Sequence, residues 1–261
     1  MRPLLRLVAY FALATSAHAA IPEPAMLVLG LEEAIDDAAE DATANPWTGN
    51  VGLAMNGSRT TSNSLSFRFS AGVERKTDED QFTMSLLYLT QYADGDLSEN
   101  NGLFDIEQLW NCSPDAPWNG WVQGSTQFNA NEGYRTRITT YGGVGYKVLN
   151  DEKLTINLKG GLGVKWDYRG NTSVVAQSIF EAAADWTLDE GLVLTSASSI
   201  ANDLDSVSSF LLRIRVQLEA ALKAIDGLSL TIGIRDEYDS TPSAGSSYNQ
   251  LWYWAGLQYN F

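Results

Sequence analysis

Long apolar runs are missing from this sequence. Beyond the first nineteen residues no stretch of 18 consecutive apolar residues occurs, and a helical membrane span needs about 20. A helical membrane protein is therefore excluded. Cysteine is nearly absent too: Cys112 stands alone, which rules out an intrachain disulfide. Positive charge is scarce, with 17 Lys and Arg against 32 Asp and Glu and a net charge of −15. So acidic a chain argues against nucleic acid or anionic lipid as a partner.

The scarcest residue is histidine. His18 is the only one, and it lies in a segment expected to be cleaved away. Without it, Ser-His-Asp and Asp-His catalysis and histidine-ligated zinc are unavailable. No carboxylate pair stands out by spacing, and no acidic cluster follows the Asp/Asn/Gly pattern of a calcium loop. The expectation is no enzyme, no cofactor and no metal site.

What is present begins with a secretory signal over residues 1–19. Arg2 and Arg6 open it, Leu7 to Ala14 form a short apolar stretch, and Ala17-His18-Ala19 is an A-x-A cleavage site. Removing it takes the two arginines with it and moves the net charge from −15 to −17. Residues 20–45 form an acidic leader. Glu32, Glu33, Asp36, Asp37, Glu40 and Asp41 oppose a stripe of Leu27, Leu31 and Ile35, the pattern of an amphipathic helix. Such a helix would lie in the periplasm or partly plug a pore.

From Trp47 onward the period changes to two. Leu65, Phe67, Phe69, Ala71 and Val73 alternate with Ser66, Arg68, Ser70, Gly72 and Glu74, and the same pattern recurs over 210–222 and 228–235. The runs number about twelve, near 47–56, 64–75, 80–92, 103–111, 117–128, 134–148, 153–166, 173–186, 191–201, 207–222, 228–237 and 250–261. Several exceed the 9 to 11 residues with which a strand tilted near 45° crosses a bilayer. The expected fold is all-β: a single antiparallel transmembrane β-barrel over 46–261, with the short N-terminal helix before it. With both termini periplasmic, short inner turns such as 149–152 and 187–190 would oppose longer outer connections, Ala93 to Gly102 and Asp236 to Asn249. Two glycine-rich runs, 142–148 and 160–166, would place Gly142 opposite Gly160 and mark a bend or a close approach.

Parity sends Arg68, Arg135, Arg137, Lys159, Lys165, Arg213, Arg215 and Arg235 into the lumen, with Asp105, Glu107, Glu181, Asp185 and Glu219. These groups either pair and fill the barrel or line a wet, basic constriction. A barrel near twelve strands lies between the filled eight-strand type and the open sixteen-strand porin. The acidic residues Asp94, Asp96 and Glu99, Asp203 and Asp205, and Asp236, Glu237 and Asp239 are expected in outer loops, solvated or meeting lipopolysaccharide through divalent cations. The last strand carries Tyr253, Ala255, Leu257, Tyr259 and Phe261 on one face. Of these, Tyr253, Leu257, Tyr259 and Phe261 look like a recognition signal for the outer-membrane assembly machinery.

Several segments together resemble the salt-induced, YdiY-like family of outer-membrane proteins, whose function is undefined. They are Trp47-Thr48-Gly49-Asn50-Val51-Gly52-Leu53, Tyr134 to Tyr146 with its closing Gly143-Val144-Gly145-Tyr146, Gly160 to Gly163, Tyr238 to Gly245 and the closing Gly256-Leu257-Gln258-Tyr259-Asn260-Phe261. The resemblance implies a barrel in the outer membrane of a Gram-negative bacterium and carries no catalytic or ligand residues with it. The expected role is a narrow channel for small polar or anionic solutes, or an envelope-stress structural protein. The rival is a secreted soluble β-sandwich that binds sugars. The sequence does not set the oligomeric state.

Overall fold

The computed structural model describes residues 46–59, 63–94, 96–113, 116–129, 135–169, 171–206, 208–242 and 247–261. The expected signal peptide and the acidic helix of 20–45 lie outside the described residues. So do Tyr134 and Gly245 of the segments quoted above.

Twelve antiparallel strands close into a ring in which each pairs with its sequence neighbours and the first pairs with the last. They are β1 (Trp47–Arg59), β2 (Asn63–Lys76), β3 (Asp80–Ala93), β4 (Asp96–Asn111), β5 (Trp118–Asn129) and β6 (Thr136–Asn150). The ring continues with β7 (Leu154–Arg169), β8 (Asn171–Asp189), β9 (Leu192–Asp203), β10 (Phe210–Ala221), β11 (Leu228–Asp239) and β12 (Asn249–Asn260). The closing seam runs over Asn50–Ala54 against Gly256–Asn260. Closure leaves no sheet edge to be covered, which is what a strand-built object needs in lipid, where every backbone polar group must be satisfied internally.

Period-two alternation gives the ring two surfaces. Leu53, Met55, Phe67, Val122, Val144, Leu162, Phe180, Ile232, Tyr253 and Leu257 are exposed apolar residues, and the cross-strand registers place all of them on the outer face. Apolar side chains left exposed around a whole ring are stable only in hydrocarbon. Outward aromatics gather at both ends. Trp118 and Tyr146 (4.7 Å between centroids) and Trp47 and Phe82 (6.0 Å) lie at the end bearing the barrel's termini, and Phe210 and Tyr238 (5.7 Å) at the other. Tyr253, Leu257 and Tyr259 face outward on β12, and Phe261 follows that strand as an exposed residue.

Two expectations are corrected. Ala93 to Gly102 is not a long loop: Ala93 pairs with Asp96, and Asp94 turns the chain with φ 53°. Asp-Gly between two strands is a strong tight-hairpin signal. The polar run Ser98 to Asn101 hid the strand, because beyond the apolar band an outward position no longer needs an apolar residue. The strands therefore run further at this end than alternation alone shows, and much of the expected loop asymmetry is absorbed into them. The 240–248 connection remains the longest there. Second, Gly142 faces Leu162, and it is Gly143 that meets Gly161. The turn is shifted because Asp151 Oδ1 accepts the backbone N–H groups of Lys153 (2.9 Å) and Leu154 (2.7 Å), and a bulge falls between Lys147 and Leu149.

Candidate functional site

The lumen is furnished by side chains that lie along the cross-strand rows, and three of its large rings occupy space left by a glycine on a nearby strand. Trp121, 1% exposed, sits in the row Leu109, Trp121, Gly143, Gly161, Ile179, Ala201. A Cβ on Gly161 would stand 3.0 Å from its Cζ2. Leu109, Trp121, Tyr141, Ile179 and Ala201 form the one apolar cluster among the described residues. Tyr141 lies over Gly163 in the next row and donates its hydroxyl to Gln177 Oε1 at 2.5 Å. Trp254 lies over Gly233 in the same way.

The structure brings most of the expected lumen charges together in pairs. Lys159, Glu181 and Arg213 share one row across β7, β8, β9 and β10. Lys159 Nζ reaches Glu107 on β4 at 2.5 Å and lies 3.8 Å from Glu181. Arg137 forms a two-pronged bridge to Asp167, 2.7 and 3.0 Å. Lys165 meets Asp203 at 3.2 Å. Arg213 and Arg235 share Glu237, at 2.9 and 3.0 Å. Glu219 accepts hydrogen bonds from Gln258 and Asn260. Asp105 and Asp185 take lumen positions on β4 and β8, and Arg135 is exposed ahead of β6.

One contact crosses the barrel. Arg213 Nη2 on β10 donates to Gln127 Oε1 on β5 at 3.2 Å, from near-opposite walls. The lumen is narrow at that level, and the obstruction consists of side chains.

Arg68 and Arg215 differ from the others: among the described residues neither has a carboxylate within ion-pair distance. Arg215 stands directly opposite Arg235 on β11, and its guanidinium donates to Gln217 Oε1 at 2.7 Å. Arg68 lies 3.5 Å over the Trp254 ring and Arg215 lies 5.8 Å from it, while Arg235 lies 5.4 Å from Trp252. The three charges repel one another, and Asp105 is the carboxylate that attracts Arg215. Arg68 Nη1 is buried and has no acceptor. On β5 the lumen-facing Asn119 Oδ1, Trp121 Nε1 and Gln123 Oε1 are likewise buried without partners.

Sequence reasoning assigned Asp203 and Glu237 to outer loops. The structure moves both inside, because β9 and β11 run on to Asp203 and Asp239. Continuing the alternation past the last apolar residue would have placed them correctly. Gln127, Asp167, Gln177, Trp121 and Tyr141 were missed altogether. Parity alone could have found them, but their register partners could not be read from one strand.

A family model described as a protein of unknown function, DUF481, matches residues 51–261. The chain is a DUF481 protein. No curated protein matches it in sequence. Among solved structures, this DUF481 chain resembles the NanC porin with a TM-score of 0.50 at 10% identity, covering 81% of this chain and 98% of that one. The translocator domain of the autotransporter NalP from Neisseria meningitidis aligns at 0.44 and 11%, covering 90% and 95%. The KdgM porin aligns at 0.44 and 10%, covering 82% and 99%. The likeness of the DUF481 barrel to the NanC porin is one of fold: a closed barrel of the outer-membrane type, and no sandwich.

Proposed function

We propose that this DUF481 barrel is a narrow, hydrated channel of the outer membrane that favours small anionic or polar solutes. One observation carries the reading: the lumen-facing Arg215 and Asp185 are exposed inside the closed barrel. A charged side chain left exposed there needs water around it. A wall with such groups spread along it fits a wet bore better than a packed core. The Arg213–Gln127 contact sets the narrowness, and the unpaired guanidinium groups of Arg68 and Arg215 set the sign of the preferred charge. A non-enzymatic role is part of the same proposal.

The termini are assigned to the periplasmic side, which puts the long 240–248 connection outside, facing lipopolysaccharide. The outward face of β12, with Tyr253, Leu257, Tyr259 and Phe261, is assigned to the assembly machinery. A second reading, an envelope-stress structural barrel of the salt-induced type, draws support from the ion pairs that fill part of the lumen.

Planar bilayers separate the two. The channel gives discrete conductance steps with anion-biased reversal potentials, and Arg213→Glu with Arg215→Glu reverses or abolishes the bias. A bilayer that stays sealed at all voltages overturns the channel in favour of the structural barrel.

A further inference from the structure

Arg215 and Arg235 face each other in register on adjacent strands, an arrangement that is destabilising for like charges. Arg68 converges on them from β2, on the far side of the closing seam. Among the described residues nothing compensates all three. Glu237 is shared between Arg235 and Arg213, Arg215 has no carboxylate within ion-pair distance among the described residues, and a nitrogen of Arg68 is buried without an acceptor. Elsewhere in the same lumen the protein matches Arg137 with Asp167, Lys159 with Glu107 and Lys165 with Asp203. The cluster therefore departs from the pairing that holds Arg137, Lys159 and Lys165, and such departures concentrate at functional sites.

The surroundings are built as well as charged. Gly233 has no side chain where the Trp254 ring lies, and that ring has the Arg68 guanidinium 3.5 Å and the Arg215 guanidinium 5.8 Å from its centre. Guanidinium groups held over an aromatic face keep their forked donors free for an acceptor in the plane, which suits carboxylate and phosphate oxygens.

We infer that Arg68, Arg215 and Arg235, arranged around Trp254, form a binding subsite in the lumen for the carboxylate or phosphate of a small solute. The subsite deepens the channel reading and rests on it for the solute's route of entry. The bound anion supplies acceptors to the guanidinium cluster and relieves the repulsion between Arg215 and Arg235.

The test is a titration of the purified full-length barrel in detergent micelles, following tryptophan fluorescence at constant ionic strength. Inorganic phosphate, glucuronate and uncharged glucose are the probes. The expected result is a saturable change with phosphate or glucuronate and none with glucose; the tighter of the two names the chemical class. The change disappears in Trp254→Phe, and affinity falls about tenfold in Arg68→Gln and in Arg215→Gln, the loss of a charge-assisted hydrogen bond. Relief of like-charge repulsion also leaves Arg68→Gln at least as resistant to thermal unfolding as the wild type, so a folding failure does not mask the result. Absence of any saturable change, or binding unaltered in both arginine variants, overturns the subsite. A barrel that binds but never conducts keeps the subsite and overturns the channel reading; one that conducts without binding does the reverse.

Discussion

Gly143 on β6 and Gly161 on β7 face each other in register on the lumen side, and the ring of Trp121 lies 3.0 Å from where a Cβ on Gly161 would stand. The neighbouring Gly160 points outward, with nothing within 4 Å of where its Cβ would stand. Adjacent glycines thus carry opposite constraints. Gly161→Val is expected to cost about 1–3 kcal/mol through overpacking against Trp121 and the Gly142 carbonyl, whereas Gly160→Val leaves stability unchanged or raises it. Urea unfolding of the two variants in the same detergent measures the difference, and equal midpoints would refute it.

Lys159 stands between Glu107 and Glu181. Lys159→Met strands two carboxylates in the lumen and is expected to destabilise the barrel by about 3 kcal/mol, the cost of breaking a buried pair from one side. Adding Glu107→Gln restores part of that loss. A thermal melt of the single and double variants decides it: no recovery in the double variant means that the lysine acts by packing.

The outer and inner faces respond oppositely to charge. Ile232, outward and 52% exposed at the middle of β11, is expected to lose about 2–4 kcal/mol as Ile232→Arg in lipid. Ser125→Lys, on the inner face opposite Asp105, is tolerated because a carboxylate faces it. Folding titrations in lipid vesicles compare the two.

Cys112, exposed in the β4–β5 connection at the end that carries the barrel's termini, reports orientation. With that end periplasmic, a maleimide on a large polyethylene glycol leaves Cys112 unmodified in intact cells and labels it once the outer membrane is permeabilised. Rapid labelling of intact cells would invert the assignment.

The ring was largely legible from alternation. Twelve period-two runs became twelve strands, because one face of each must match hydrocarbon and the other must not. Legibility failed wherever that requirement lapsed. Ser98 to Asn101 and the stretches leading to Asp203 and Asp239 belong to strands that have left the apolar band, so no hydrophobic signal marks them. Parity placed Arg68, Arg137, Lys159, Glu181, Arg213, Arg215 and Arg235 on one face. Which of them meet was hidden, since Arg213 and Gln127 lie 86 residues apart in the chain, and the tilt that aligns them is a property of closure. The Gly143–Gly161 register escaped by one position because a bulge and an Asp-capped turn shifted it.

The bridge between Arg213 and Gln127 also sets a clock. A constriction made of loops opens on the timescale of backbone motion, about nanoseconds to microseconds or slower, whereas this one opens by a rotamer change of Arg213, whose side chain is 28% exposed, with no backbone movement. An electrical recording averages over thousands of such exchanges. This barrel would then register as a steady passage of reduced bore, without the slow flicker of a loop that folds in and out.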